Sequence, residues 1–322
     1  MSIEDIRELL ADDLRHVDGV VRNRLRSEVV LVQQVGEYIV GSGGKRLRPV
    51  VLLLAASACG FRGAHAHELA AVVEFIHTAT LLHDDVVDES SMRRGRTTAN
   101  AVFGNSASVL VGDFLYSRAF QMMVSVGSMR VMEVLSEATN VIAEGEVLQL
   151  MNVHDPDVTE DGYLEVIRYK TAKLFQASAR LGAILAGAAP AVEAALADYG
   201  THLGTAFQLI DDVLDYSGDA GETGKNLGDD LAEGKATLPL IHVMRQGSPA
   251  DAALVRQAVE QGGLAAFEPV MEAIRRSGSL EYARGVAGRE VDRAVAALGV
   301  LPASPWRESL LDLALHSTTR TH

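Results

Sequence analysis

The sequence of 322 residues has little cysteine and little proline, with one cysteine, Cys59, and 8 prolines. A single cysteine cannot form an intramolecular disulfide, and this usage predicts a reducing compartment, the cytoplasm. Cys59 ends the apolar stretch Val50–Cys59 and is interpreted as a small core residue. Because proline is rare while alanine, leucine and valine are abundant, helices are the favoured element.

Long hydrophobic runs and a hydrophobic leader are also missing. The longest apolar run, Val50–Cys59, is too short to cross a bilayer, so no transmembrane segment is expected. Met1–Asp13 is charged throughout, and no signal peptide is predicted. The formal net charge of −14 argues against nucleic acid as a partner. Local clusters of arginine and lysine can still bind small anionic substrates.

The sequence does contain two matching acidic motifs of the pattern DDxxD. Their carboxylates are Asp84, Asp85 and Asp88 in the first motif and Asp211, Asp212 and Asp215 in the second. On a helix the first and last aspartates of each motif share a face, where like charges repel unless a cation lies between them. Such oxygen ligands suit Mg²⁺, which takes one or two carboxylates together with phosphate oxygens.

A bland interpretation of one DDxxD motif is an acidic, solvated helix face. Two copies embedded in leucine, isoleucine and valine argue against it, because charges flanked by core residues are costly unless they are paired or bind metal. Glu74-x-x-His77 has the spacing of di-iron sites in helical bundles, but such sites need a second copy and two further glutamates. Only one copy is present, so His77, two helical turns before Asp84 on the same face, is not interpreted as an iron ligand.

A glycine-rich and basic segment, Gly43–Pro49, precedes the first motif. Three cations, Lys45, Arg46 and Arg48, lie within four residues, and Pro49 falls in the first turn of the helix that follows. This arrangement is typical of an anion site at a helix start, although a glycine turn with surface charge has the same composition. The GxxxxGK[ST] spacing is absent, so the segment is not a Walker loop.

The pattern along the chain predicts one all-α domain over residues 1–322, a large helical bundle around a central cavity. No linker divides it, and no alternating strand pattern stands out. Residues Ser2–Gly41 are predicted to form one or two amphipathic helices. Ser90–Gly104 and Ser217–Lys235 are predicted loops. Further helices are expected at Val50–Cys59, Glu68–His83, Asn105–Val126, Met129–Met151, Tyr163–Ala188 and Ala191–Tyr216.

The two DDxxD motifs, together with GGKRLRP at Gly43–Pro49 and Arg93-Arg94, resemble the trans-isoprenyl diphosphate synthases. The resemblance extends from Gly41 to the region of Trp306. The stretches TATLLHDDVVDES, VLVGDF, GEVLQLMNV and LGTAFQLIDD look closest to the bacterial octaprenyl branch. The family resemblance implies the isoprenoid synthase fold. It also implies a homodimer, for which the amino-terminal helices and Asn105–Val126 offer surface.

The resemblance implies Mg²⁺-dependent condensation of isopentenyl diphosphate onto an allylic diphosphate, with a farnesyl-type starter and several metal ions. Asp84, Asp88 and Asp211 are the expected direct ligands, supported by Asp85, Asp212 and Asp215. The isopentenyl diphosphate site is assigned to Lys45, Arg48, His77 and Arg94. The allylic diphosphate is assigned to Arg93, Lys170, Thr171, Gln208, Lys225 and Lys235.

Product length is expected to depend on Ala79 and Thr80, about one turn before Asp84. A growing chain anchored at the metal would pass them, and a large aromatic residue there would stop it. Because both are small, a long all-trans product is predicted, octaprenyl diphosphate for a quinone side chain, with Met122 or Met123 as candidate tunnel floor. The small residues could instead only permit tight helix packing, and the product could be geranylgeranyl or farnesyl diphosphate.

Two other functions carry part of this pattern. A class I terpene cyclase has one DDxxD motif but normally replaces the second with an Asn/Ser/Glu pattern. A non-catalytic subunit of a prenyl synthase typically has broken acidic motifs. Both motifs and the basic segment are intact here, which favours a catalytic synthase.

Overall fold

The computed structural model describes residues 2–41, 43–93, 95–217 and 227–319. These residues are overwhelmingly helical, which confirms the predicted all-α class. The helices are α1 (Ile3–Leu9), α2 (Ala11–Arg24), α3 (Val30–Val40), α4 (Leu47–Ala58), α5 (Ala64–Val87), α6 (Ala99–Phe103), α7 (Asn105–Ser125), α8 (Met129–Asn152), α9 (Glu160–Ile167), α10 (Lys173–Leu185), α11 (Pro190–Ser217), α12 (Asp229–Ala232), α13 (Leu238–Gln246), α14 (Pro249–Gln261), α15 (Phe267–Ser277), α16 (Ser279–Ala297) and α17 (Pro305–Thr319).

Short non-α elements interrupt this series. A π turn, Arg168–Ala172, joins α9 to α10, and a 3₁₀ turn, Leu298–Val300, follows α16. A minimal antiparallel hairpin pairs β1 (Met92–Arg93) with β2 (Arg96–Thr97). Among the described residues, no helix is long and apolar enough to span a membrane.

The chain divides into two compact units. The first unit contains residues 1–139, 174–200 and 297–313, and the second contains residues 140–173, 201–296 and 314–322. The first acidic motif belongs to the first unit and the second motif to the second. One domain over residues 1–322 stays a prediction.

The core of the first unit is built around α4 and α5. Residues Val50–Ala56 of α4 are buried on every side of the helix. Each buried leucine or valine contributes about 1.5–3 kcal/mol of transfer free energy. Helix α10 packs closely on α4 because it has Gly182 at the contact, where a Cβ would lie 2.5 Å from the Ala56 nitrogen. The basic segment therefore enters a rigid helix.

The core of the second unit includes the apolar residues of the second acidic motif. Leu209, Ile210 and Val213 of α11 are buried in one cluster with residues of α9, α13, α14, α15 and α16. Because these positions alternate with the aspartates along the helix, burial of the apolar face fixes the orientation of the acidic face.

Several sequence-based boundaries were wrong. The predicted loop Ser217–Lys235 contains α12 (Asp229–Ala232), and residues 218–226 lie outside the described part of the chain. The segment Ser2–Gly41 forms three helices, not one or two, because Ser2 and Asp5 form a capping box at α1 and the chain turns again before α2 and α3. Ser90–Gly104 is not a loop, since it forms the hairpin and α6. Gly95, with φ of 71°, supplies the turn conformation that the hairpin requires.

Candidate active site

The first acidic motif lies at the carboxyl end of α5. Asp88 directly follows the helix, and its N–H donates to the Asp84 carbonyl at 2.8 Å, so the i, i+4 relation persists. The end of α5 is held by α7, where the Ser108 hydroxyl donates to the Leu82 carbonyl at 2.8 Å. Three carboxylates at the negative end of a helix dipole make this a place that attracts cations.

Asp85, the middle residue of the first motif, is fully buried. Its Oδ1 accepts a hydrogen bond of 2.7 Å from the Arg93 Nε. Burial raises the pKa of Asp85 although the Arg93 charge opposes the rise. Its Oδ2 is buried and has no hydrogen-bond partner among the residues that the structure describes. A carboxylate held by one oxygen, with the other oxygen unsatisfied, fits a site built to be completed by a cation.

The basic segment before α4 has a strained and anchored backbone. Arg46 takes the left-handed conformation, with φ of 49°, at the amino-terminal cap of α4, and its side chain pairs with Asp18 of α2. The Arg48 guanidinium lies over the Phe175 ring, 4.5 Å from its centroid. Of the three cations in this segment, Arg46 therefore has a structural partner on another helix.

The second acidic motif lies in the last turns of α11. Asp212, again the middle residue, is buried and accepts hydrogen bonds from the Tyr163 hydroxyl at 2.5 Å and from the Gln208 Nε2 at 2.7 Å. Burial, with the nearby charge of Asp230, raises the pKa of Asp212 to about 8. Asp215 Oδ2 accepts from the Asp230 N–H at 3.3 Å. In both motifs the middle aspartate is buried and accepts hydrogen bonds from other side chains.

The π turn Arg168–Ala172 presents Lys170 and Thr171. Lys170 Nζ donates to Glu146 Oε2 at 2.6 Å and to Gln149 Oε1 at 2.7 Å. The Thr171 hydroxyl donates to Gln208 Oε1 at 2.9 Å, which links the π turn to Asp212. π turns inside helices occur frequently at functional sites, since the widened turn re-aims side chains.

A cleft in the second unit brings these groups together. Lys235 also lines it and forms an ion pair with Glu233. The lining residues are Gln149, Asn152, Val153, Val158, Tyr163, Val166, Ile167, Lys170, Thr171, Gln208, Asp212, Asp230, Lys235, Ala236 and Thr237. Lys170, Thr171, Gln208 and Lys235, which the family resemblance assigns to the allylic diphosphate, all line this cleft.

Comparison with known proteins gives consistent results. The polyprenyl synthetase family model matches residues 29–274. Octaprenyl diphosphate synthase of Escherichia coli (strain K12) is 60% identical over 315 residues, which cover 98% of each chain. The all-trans-nonaprenyl-diphosphate synthase (geranyl-diphosphate specific) of Rhodobacter capsulatus is 47% identical, covering 96% of this chain and 95% of the relative. The chain belongs to the polyprenyl synthetase family.

A solved structure from the family agrees with the fold. The polyprenyl synthase from Caulobacter crescentus CB15, complexed with calcium and isoprenyl diphosphate, has a TM-score of 0.96 and 45% identity, covering 100% of this chain and 98% of that one. This polyprenyl synthetase is therefore an all-α prenyltransferase with the isoprenoid synthase fold, and a relative binds a divalent cation.

The remaining residues that were assigned from the sequence differ in burial, and two of them are not described by the structure. Arg94 and Lys225 lie outside the described residues. His77 and Thr80 are half-buried, and the Thr80 hydroxyl donates to the His77 carbonyl at 2.8 Å. Ala79, Met122 and Met123 are fully buried in the first unit. Their roles in chain length stay predictions.

Several polar partners of the assigned side chains in this polyprenyl synthetase were not predicted from the sequence. Glu146 and Gln149 accept from Lys170, Tyr163 donates to Asp212, and the Asp230 N–H donates to Asp215. Glu146 and Gln149 are three apart on α8 and so share a face, a signal present in GEVLQL. Tyr163 and Asp230 have no such signal, because they reach Asp212 only through tertiary packing.

Proposed function

We propose that this prenyltransferase makes octaprenyl diphosphate by repeated addition of isopentenyl diphosphate to an allylic, farnesyl-type diphosphate, for a quinone side chain. The observation that carries the proposal is the 60% identity to octaprenyl diphosphate synthase across 98% of the chain, with both DDxxD motifs intact. The purified chain is tested alone with farnesyl diphosphate, isopentenyl diphosphate and Mg²⁺. Mass spectrometry of the dephosphorylated products should give the C40 alcohol. A cyclic hydrocarbon, or no product from the isolated chain, would overturn the proposal.

The metal is proposed to be Mg²⁺, held by Asp84 and Asp88 in the first unit and by Asp211 in the second. The ligand atoms of all three residues would be carboxylate oxygens, which Mg²⁺ prefers. The Asp85 Oδ2, buried without a hydrogen-bond partner in the described part of the chain, supports a site that a cation completes. Within the described ranges, no three acidic, histidine or cysteine side chains already form a chelating cluster. Substrate phosphate oxygens and water would supply the remaining ligands. Bound Mg²⁺ neutralises the diphosphate leaving group.

Residues of the chain are proposed to bind and orient the two diphosphates. Lys170, Thr171, Gln208 and Lys235 border one cleft, which supports a common role in holding the allylic diphosphate together with Arg93 and Lys225. Lys45, Arg48, His77 and Arg94 would hold isopentenyl diphosphate. Guanidinium groups suit this role because they bind phosphate bidentately.

The chemistry requires the allylic C–O bond to break and pyrophosphate to leave. The alkene of isopentenyl diphosphate then bonds to the allylic carbon, and loss of one proton gives an allylic diphosphate one unit longer. No side chain is assigned as base, and the released pyrophosphate is proposed to accept the proton. Apolar surroundings are needed to keep water from the cation.

A homodimer is also proposed. Helix α7 exposes the large apolar side chains Val109, Leu110 and Val124, and α3 begins with the exposed Val30 and Leu31. Exposed apolar side chains of this density support an interface between protein chains.

A further inference from the structure

His154 lies in the connection between α8 and α9 and has an uncommon backbone conformation. Its φ of 63° is left-handed, a region that residues with a side chain seldom occupy. Such a conformation persists where the surrounding structure over-determines it. The constraint on His154 comes from other residues of the second unit.

The imidazole of His154 is clamped between two glycines. A Cβ at Gly234 would overlap the ring, and a Cβ at Gly262 would lie 2.8 Å from its Cε1. The ring Nδ1 lies 3.1 Å from the Val259 carbonyl of α14 and donates to it, because a carbonyl can only accept. The backbone N–H of His154 donates to the Gly234 carbonyl at 2.9 Å. Ring and backbone of His154 therefore both hold the chain at Gly234.

The segment Gly228–Lys235 connects this clamp to the cleft of the second unit. Gly234 directly precedes Lys235, which lines the cleft. The Lys235 N–H donates to the Asp230 carbonyl at 2.8 Å, and the Asp230 N–H donates to Asp215 at 3.3 Å. One part of the segment is thus fixed to the second acidic motif, and the other part is fixed to His154.

The backbone at Lys235 decides where the charge of this lysine lies. Its side chain is only 13% exposed and forms an ion pair with Glu233 of the same segment. A lysine that is largely buried cannot reorient through solvent to meet a ligand, as an exposed lysine can. The position of its ammonium group in the cleft therefore depends on the segment that carries it, and so on His154.

We propose that His154 is a positioning residue for the allylic diphosphate. By clamping Gly234 it sets the place of Lys235 in the cleft, so that the ammonium group meets the diphosphate without reordering of the segment. Without the clamp, each binding event must order this segment, and affinity falls. The inference rests on the proposed function, because it takes an allylic diphosphate as the ligand of Lys235.

His154→Gly tests the ring alone, because glycine adopts the left-handed conformation readily. We expect the KM for farnesyl diphosphate to rise about five-fold, the order of one net hydrogen bond. kcat and the KM for isopentenyl diphosphate should stay within about two-fold. His154→Asn should restore a KM near that of wild type, since asparagine tolerates the left-handed conformation and its amide can donate from the place of Nδ1.

A double variant separates positioning of Lys235 from a general role in stability. If His154 acts through Lys235, His154→Gly should raise the KM for farnesyl diphosphate no further in a Lys235→Ala enzyme. His65→Gly, the same change at an exposed position of α5 in the first unit, is the control and should leave this KM unchanged.

Three results would overturn the inference. The first is an equal KM effect of His154→Gly with and without Lys235. The second is a loss of kcat and thermal stability in place of a KM effect. The third is a His154→Gly variant that does not fold, because the histidine would then serve the fold and not Lys235.

Direct binding separates this inference from the proposed function. Calorimetric titration of the full-length enzyme with farnesyl diphosphate and Mg²⁺, without isopentenyl diphosphate, should show about five-fold weaker binding for His154→Gly than for His65→Gly. If wild type binds farnesyl diphosphate but does not elongate it, the proposed function fails while this comparison still decides the inference. Equal binding by both variants would refute it.

Discussion

The hydroxyl of Tyr163 donates a hydrogen bond of 2.5 Å to Asp212, and both side chains are buried. The bond does not offset the cost of burying the carboxylate, because the pKa of Asp212 is raised from 3.8 to about 8. A group whose pKa is raised by folding stabilises the protein below its unfolded pKa. That contribution is lost as the pH rises through the folded pKa.

The first prediction follows from this direction of the pH dependence of stability. In metal-free protein, Asp212→Asn should raise the free energy of unfolding at pH 9 by about 1–3 kcal/mol, because the neutral amide avoids a buried charge. At pH 5 the gain should largely vanish, since Asp212 is then protonated. Thermal denaturation in EDTA measures both values. Asp198→Asn, at an exposed position of the same helix, is the control. An equal gain in the free energy of unfolding at pH 5 and pH 9 would contradict the raised pKa of Asp212.

The second prediction concerns the metal. Asp84→Asn and Asp211→Asn should each lower turnover by orders of magnitude at ordinary Mg²⁺ concentrations, because these carboxylates act on the charge of the leaving diphosphate. Circular dichroism should show an unchanged helix content, since both side chains are only half-buried. Steady-state assays over a Mg²⁺ series give the result, and near-normal turnover in both variants would refute the ligand assignment.

The third prediction concerns the support of Lys170. A Cβ at Gly145 would lie 2.7 Å from the backbone nitrogen of Lys170 and 2.8 Å from the Cβ of Tyr169. Gly145→Ala should therefore displace the π turn, cost about 1–3 kcal/mol of stability and raise the KM for the allylic diphosphate. Gly288→Ala is the matched control, since nothing lies within 4 Å of its added Cβ. That substitution in helix α16 should stabilise by up to about 1 kcal/mol. Equal behaviour of the two variants would show that the close contact is unimportant.

The helices that carry the acidic motifs could be predicted from the sequence alone. In α5 and α11, apolar residues at helical spacing precede the aspartates, so helix type and the shared face of Asp84 and Asp88 could be predicted. The burial of Asp85 and Asp212 could not, because the motif does not say which carboxylate turns inward. That depends on partners such as Arg93, which reaches Asp85 only through the hairpin, and Tyr163, which is 49 residues from Asp212 in sequence.

Two local structures also escaped prediction for physical reasons. The π turn at Arg168–Ala172 has the composition of an ordinary helix, and only the close approach at Gly145 distinguishes it. The hairpin at Met92–Thr97 has strands of two residues, too short for an alternating pattern. It is held by a hydrogen bond from Tyr38 to Thr97, 59 residues away in sequence, which no local window contains.

The last prediction is product length. Ala79 is fully buried in α5, about one turn before Asp84, so a tyrosine there must displace whatever occupies the adjoining space. If a growing prenyl chain passes this position, Ala79→Tyr should collapse the products to short chains while sparing the first condensation. Mass spectrometry of dephosphorylated products and the rate of the first addition measure the two effects.

The control for this change is Ala194→Tyr, which adds the same side chain at an exposed position of α11 and should leave the C40 product intact. Overpacking alone would cost about 1–3 kcal/mol and lower the yield of folded enzyme without changing the distribution of chain lengths. An unchanged distribution in Ala79→Tyr would therefore mean that Ala79 serves helix packing. In that case the product length must be set by other residues, for which the buried Met122 and Met123 of α7 are the next candidates.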